Sequence, residues 1–413
     1  GRGVRARRRR RGVTARRDAG ARERWLVLVL AGVQFTHIMD FMILMPLGPQ
    51  LMRLWGIDTS QFGLLVSAYT LAAALTALLC ALYMDRFDRK RALLLLYAGF
   101  AVSTLLCALA PGYSTLLAMR ALAGAFGGVT GAAVYSIIAD VVPEHRRGTA
   151  MGTLAIAFPL SSVAGVPFGL VLANWLNWRA PFFLLALISA AILVAAWRLT
   201  PSLAAHVEEA RARHPLRLAL AVFADANHRR ALALVTLLVF GGFSVIPFIA
   251  PYMVANVGLA ETDLPWLYFF GGLATVFTSR LFGRLSDRFG KREMFTVLTG
   301  ISVVPLLITT NLPPVPVWAA IAASVLFMVF VSGRFIPAMA IVTAAAQPRL
   351  RGTFMSFNTA LQQVALGLAS VSSGLLIGST GAGQLTRYWL AGMVAVGCTL
   401  ATIGLARRVR AVA

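Results

Sequence analysis

Ionisable side chains inside long apolar runs are the residues of this chain that could do chemistry. Asp40 lies in F-T-H-I-M-D-F-M and is the carboxylate set well inside such a run. A charge in hydrocarbon is costly, so a residue of this kind is retained for a function or for a partner charge. Burial favours the neutral carboxyl and a nearby arginine favours the carboxylate. A proton on Asp40 can therefore follow water access and be coupled to a conformational change. His37, three residues earlier, shares its helix face and is of the type that titrates near neutrality. It could relay or tune that proton. The alternatives are a permanent Asp–Arg pair that fixes packing and, for His37, a satisfied polar group. Two cations also lie inside apolar runs, Arg120 in A-M-R-A-L, in the outer part of the fourth, and Arg334 in V-S-G-R-F-I-P, within the tenth. Arg334, in a bend suggested by Gly333 and Pro337, is the expected partner of an anionic solute or of Asp40. Arg120 does the same or holds its helix to its neighbours. Gln34, Tyr252, Asn358 and Gln362, with Tyr69, Tyr135, Phe243 and Gln363, supply amides and aromatics for a mixed pocket. Each could equally make an interhelical hydrogen bond. Met39, Met42 and Met45 near His37 could take copper or be apolar filler.

The elements that position these residues are membrane helices. Of 413 residues, 59% are hydrophobic and 13% are charged, where a soluble protein carries about a quarter charged. Apolar runs of about 20 residues make the bilayer the solvent, and their continuity makes them helices rather than barrel strands. The expected fold is all-α, with twelve spans at about 25–47, 61–84, 92–110, 114–141, 149–174 and 181–199, then 231–257, 264–285, 293–310, 317–344, 353–378 and 388–405. Residues 1–24 read as a basic disordered tail with an unbroken Arg7 to Arg11 block and no signal-peptide pattern. Residues 25–199 and 231–413 read as two six-helix bundles, and 200–230 as a connecting loop with one or two interfacial helices. Arginine crowds one set of loop ends, which predicts that both termini are cytoplasmic.

Composition also sets aside other classes. The net charge of +23 sits in loops and the tail, without a folded basic domain, so nucleic acid is not an expected partner. Cys80, Cys107 and Cys398 fall in apolar runs without metal-type spacing, so neither a disulfide framework nor a metal site is expected. Outside the runs there is no catalytic triad, nucleotide loop or carboxylate pair. No enzyme activity and no cofactor are expected. Nothing resembles a repeated selectivity filter, so a channel is not expected either.

The chain repeats a phrase. Ala81 to Arg91 reads A-L-Y-M-D-R-F-D-R-K-R, and Gly283 to Arg292 reads G-R-L-S-D-R-F-G-K-R, each wedged between two apolar runs. Asp85 matches Asp287 and Arg86 matches Arg288. A recurrence at about half the chain length implies a fold built twice. Asp140, Pro143, Glu144 and Arg147-Gly148-Thr149 follow the fourth run, with an echo at Pro348-x-x-Arg351-Gly352-Thr353. Gly124, Gly127, Gly128 and Gly131 share the fourth run with Arg120, and Ala164-Gly165-Val166-Pro167-x-Gly169 lies in the fifth. Small residues at this spacing let helices approach closely, and the proline introduces a kink.

Together these features resemble the major facilitator superfamily, in its drug:proton antiporter and sugar efflux permease branch, from Trp25 to Arg408. The first loop departs from that family's signature at Ala81 and Asp88, where glycines are usual; the second keeps Gly283 and Gly290. The fifth-span motif is a reduced form of the antiporter one. The resemblance implies a major facilitator fold whose first, fourth, seventh and tenth spans line a central cavity. It implies a cytoplasmic gate from Asp85, Arg86, Arg89, Asp140, Arg147, Asp287, Arg288 and Arg292, and helix packing through Gly124, Gly128, Gly165, Pro167 and Gly169. The expected function is alternating-access transport of a small organic solute, exported from a bacterial cytoplasmic membrane in exchange for protons by a monomer. Asp40 and His37 are the proton-coupling pair in this reading. Arg334, Arg120, Gln34, Tyr252, Asn358 and Gln362 are the cavity residues. Proton-coupled uptake of a nutrient or metal ion, and a non-transporting receptor or scaffold, are the alternatives.

Overall fold

The structure is a computed structural model. It describes the backbone of residues 2–83, 88–201, 215–380 and 383–412, and side chains within residues 22–80, 88–201, 218–380 and 383–412. Asp85 and Arg86 lie outside the described residues.

Among the described residues the chain is helical apart from one hairpin of two two-residue strands, Gly378–Ser379 and Leu385–Thr386. Eleven helices among the described residues are long and apolar enough to cross a membrane. The first six are Arg22–Ile43, Thr59–Cys80, Arg89–Ala108, Tyr113–Val141, Glu144–Trp175 and Ala180–Leu199. Ala226–Val257, Lys291–Thr310, Val317–Ala344, Arg351–Leu376 and Tyr388–Arg408 are the other five. A further helix, Leu264–Phe289, is long enough at 26 residues but less apolar, because it runs on through Arg280, Arg284, Asp287 and Arg288. In chain order it is the eighth of twelve spans. The helices start earlier than the apolar runs do. Arg89 to Arg91 and Glu144 to Arg147 are already helical, since arginine and glutamate are good helix formers wherever the first turn clears the hydrocarbon. The same propensity acts at the N-terminus. The backbone of the basic tail, expected to lack regular structure, continues the first span as one helix, Arg2–Ile43.

Breaks in the helices fall where proline or glycine sits. The fifth span carries a π-turn, Ser161–Gly165, whose wider winding ends at Val166 with its N–H on the Ser161 carbonyl. Pro167 follows and donates no bond to that turn. The tenth span is two helices, Val317–Gly333 and Phe335–Ala344, jointed at Arg334. A short helix, Gly48–Trp55, follows the first span and ends on Gly56 in the left-handed region (φ 59°). Of the central connection, Pro215–Ala224 is helical and residues 202–214 lie outside the described residues.

The core is not uniform along the bilayer normal. At the end of the molecule away from the basic loops, one apolar cluster joins both halves. It runs from Ile43, Leu47, Phe62 and Phe182 to Phe248, Met253, Leu306 and Tyr388. At the basic end the halves keep separate clusters. Leu30, Tyr97, Val134 and Leu154 form one, and Leu232, Phe295, Val342 and Phe354 form another. Among the described residues the halves therefore share a core at the far end and keep distinct clusters at the basic end, where Phe41 of the first half packs onto the cluster of the second. The second and eleventh spans form one seam between them, where Gly63 and Gly374 bring the backbones into contact. The fifth and eighth spans form the other, where Gly272 meets the Ser162 backbone.

Candidate functional site

The first, second, third and fourth spans bring Asp40, Tyr69, Thr104 and Arg120 to one point. Arg120 Nη1 donates to Asp40 Oδ2 at 2.6 Å and to the Asp40 carbonyl at 3.2 Å. The Thr104 hydroxyl donates to Asp40 Oδ1 at 3.3 Å. Both charged side chains are fully buried (0% exposed). The guanidinium carbon lies 4.6 Å from the centroid of the Tyr69 ring. Tyr69 Oη is 2.7 Å from His37 Nδ1, and His37 is half-buried. The order of contacts is thus His37, Tyr69, Arg120, Asp40, from the half-buried member to the fully buried one. Arg120 Nε and Nη2 have no hydrogen-bond partner among the described residues.

Glycines make this arrangement possible. A Cβ on Gly124 would come within 1.9 Å of the Tyr69 carbonyl oxygen, and one on Gly127 within 2.4 Å of Tyr69 Oη and 3.0 Å of His37 Nδ1. A Cβ on Gly128 would fall 2.4 Å from that of Ala73. The fourth span therefore lies directly on the second. On the other side, Gly165 and Gly169 accept the first span, where Met39 and Ile43 fill the room beside them. Pro167 is buried between the two glycines.

The remaining cavity candidates disperse. Arg334 is buried but does not reach Asp40. Its Nη1 donates to Ser302 Oγ at 3.0 Å and Thr399 Oγ1 at 2.7 Å, on the ninth and twelfth spans. Of the two partners expected for Arg334, an anionic solute or Asp40, the second is taken by Arg120, and the joint at Arg334 turns its side chain into its own half. Tyr252 belongs to the far-end core, with its hydroxyl on the Leu312 carbonyl at 3.0 Å and its ring on Tyr388. Gln34 Oε1 and Asn358 Oδ1 are buried without partners among the described residues, while Gln362 is half-buried.

At the basic end, Arg89 Nη1 meets Asp140 Oδ2 at 2.5 Å and the Ser136 carbonyl at 3.0 Å. Arg147 donates to the Ala139 carbonyl at 2.7 Å. These bonds stay within the first half. Asp88, where the repeat has Gly290, keeps φ at −58° and caps the third span by accepting from the Lys90 N–H. Gly290 has φ 98°. Asp287 and Arg288 are exposed and form no ion pair among the described residues, and Arg292 donates to the Val409 carbonyl within the second half.

Among the described residues, the bonds that cross between halves lie at the far end. Arg53 Nη1 pairs with Glu261 Oε1 at 2.5 Å. Asn174 Nδ2 donates to the Glu261 carbonyl at 3.2 Å and is itself held by Gln50 at 2.8 Å. The Thr59 hydroxyl donates to the Ile377 carbonyl at 2.5 Å. Sequence reasoning missed this cluster. The signal available was that Arg53 and Glu261 are charges in loops otherwise poor in them.

Spans of this number and length make a multi-pass membrane protein of two helical halves. The chain belongs to the Major Facilitator Superfamily, whose family model matches residues 30–232 and 232–412. Members of this family are transporters rather than enzymes. The chain is 27% identical to the uncharacterized MFS-type transporter YceJ of Bacillus subtilis (strain 168) over 350 residues, 84% of this chain and 88% of the relative. It is 27% identical to a probable sugar efflux transporter of Helicobacter pylori (strain P12) over 229 residues, 55% of this chain and 57% of the relative. Among solved structures, a D-xylose-proton symporter matches with a TM-score of 0.72 at 16% identity, covering 92% of this chain and 96% of that one. A bacterial homolog of the human lysosomal transporter Spinster, inward-facing and unoccupied, matches with a TM-score of 0.70 at 18% identity, covering 94% and 95%.

Proposed function

We propose that the protein exports a small organic solute across the bacterial cytoplasmic membrane in exchange for protons, by alternating access, and that Asp40 is the coupling acid. The observation that carries this reading is the sealed Asp40–Arg120 pair beside a half-buried histidine. A carboxylate buried without water changes protonation only when another conformation lets water in. Protonating Asp40 removes the negative member of the pair and leaves Arg120 without its counter-charge. That large local change in free energy can bias the packing of the first and fourth spans. His37, nearer solvent, is the proton's entry residue. Small-solute export is favoured by the likeness to a protein named a probable sugar efflux transporter. With the basic end cytoplasmic, as its arginine-rich loops favour, the far-end closure makes this an inward-open state. Asp85, Arg86, Arg89, Asp140, Arg147, Asp287, Arg288 and Arg292 then form the gate that closes when the halves rock, with Asp287 and Arg288 in no ion pair among the described residues.

The test is proton movement in proteoliposomes, with a panel of sugars and other small solutes against an imposed pH gradient. Wild type is expected to move protons with at least one solute. Asp40→Asn is expected to bind that solute and lose the proton flux. Undiminished proton exchange by Asp40→Asn would remove Asp40 from the mechanism, and flux that fills rather than empties the cytoplasmic side would make the carrier an importer.

A further inference from the structure

Tyr69 touches two members of the cluster in two different ways. Its ring face lies under the Arg120 guanidinium, 4.6 Å from Cζ, while its hydroxyl reaches His37 Nδ1 at 2.7 Å. Arg120 has few other holds. Nη1 is on Asp40, the Cys107 thiol lies beside the guanidinium, and Nε and Nη2 have no hydrogen-bond partner among the described residues. A pair made only to be permanent would not need an aromatic platform. A pair that periodically loses its carboxylate does need one, because a buried arginine keeps its charge and an uncompensated buried charge is strongly destabilising. An aromatic face attracts a cation most when both are shielded from water, as here. Phe41 packs against the ring from the first span (centroids 5.6 Å apart), and Gly124 presses the fourth-span backbone onto the Tyr69 backbone. The ring is therefore held in place independently of Arg120.

We propose that Tyr69 is the positioning residue of the protonated state: its ring keeps Arg120 in the cluster when Asp40 is neutral, while its hydroxyl serves His37 alone. This rests on the reading of Asp40 as a residue that gains and loses a proton. It makes a separable prediction for ring and hydroxyl. Tyr69→Phe removes only the hydroxyl, and Tyr69→Leu removes the ring with little change in apolar character. Asp40→Asn imitates the neutral carboxyl.

The experiment is a thermal-unfolding cycle on the purified full chain in detergent, with the two Tyr69 variants each made in the wild-type and the Asp40→Asn backgrounds. The melting temperature lost to Tyr69→Leu is expected to be about twice or more as large in the Asp40→Asn background as in wild type, since groups in contact do not add. Tyr69→Phe is expected to lose the same small amount in both. If the Asp40→Asn/Tyr69→Leu protein gives no monodisperse peak while Asp40→Asn/Tyr69→Phe does, the same conclusion is read from yield. Equal losses for Tyr69→Leu in the two backgrounds would overturn the proposal. So would failure of Phe to rescue, or collapse of Asp40→Asn with Tyr69 intact. The cycle uses no solute and no gradient. It can therefore fail while Asp40 still couples protons, and it can succeed while Asp40→Asn keeps its flux.

Discussion

At Asp40 two opposed effects meet, desolvation of a carboxylate and its attraction to Arg120 at 2.6 Å. Such a pair adds little net stability compared with apolar residues, yet breaking it by removing one partner is costly. Arg120→Leu is expected to destabilise the protein by about 3–5 kcal/mol, read as a lowered unfolding midpoint of the purified protein. The loss should shrink as pH falls, because the stranded carboxyl can then stay buried in its neutral form. Adding Asp40→Asn to Arg120→Leu should recover most of it at neutral pH. A double variant no more stable than Arg120→Leu would show that Arg120 matters by its packing and not by its charge.

At the scale of elements, helix ends are tied by polar residues that apolar patterning does not register. Asp225 caps the seventh span, accepting from the N–H groups of Asn227 at 2.6 Å and His228 at 3.2 Å, while Gln347 Nε2 donates to its other oxygen at 2.5 Å. Asn227 adds a pair of bonds to the Arg410 backbone. The start of the seventh span, the turn before the eleventh and the chain's last residues are thereby joined. Partial burial pushes the Asp225 carboxyl up, but the two N–H bonds, His228 and the Gln347 amide outweigh it and hold the group below the usual carboxylate range. A carboxylate with a lowered folded-state pKa contributes fully above its unfolded value of about 4. It loses that contribution as pH falls through the lowered value. Asp225→Ala should therefore cost about 1 kcal/mol near neutral pH, and the gap from wild type should close in strong acid. A gap independent of pH would assign the loss to packing.

For the whole molecule, the deciding feature is which end the halves share. At the far end they share a core, two glycine-lined seams and the Arg53–Glu261 pair. Arg53 is 68% exposed, so the pair itself adds only about 0–1 kcal/mol. An equilibrium between open and closed forms responds to energies of that size, since about 1.4 kcal/mol is tenfold. Glu261→Lys places a second cation against Arg53 and should shift the carrier toward opening at that end. Spin labels on Leu54→Cys and Thr262→Cys, in a background without the native cysteines, would report it. The long-distance population is expected to rise several-fold over that with Glu261 intact. An unchanged distribution would leave the apolar core as the whole of the closure.

Twelve spans, their duplication, the basic end and the ionisable residues Asp40, His37 and Arg120 inside apolar runs are all legible in the residue order. Each follows from a local rule: an apolar run must be helical in lipid, and a charge inside one must have a purpose. Even the packing glycines show, because a missing side chain at helical spacing is itself a pattern. What the one-dimensional order does not contain is which cation meets which anion. Arg120 and Arg334 are equivalent on paper. They diverge only because Gly124 and Gly128 lay the fourth span against the second, while the joint at Arg334 turns its side chain toward Ser302 and Thr399. Tyr252 likewise finds the Leu312 carbonyl and the Tyr388 ring only once the helices are packed. The platform under Arg120 and the closure through Arg53, Asn174 and Glu261 join residues 51, 87 and 208 positions apart. Contacts at such separations are set by how whole helices settle against one another, and no periodicity within a single helix specifies them.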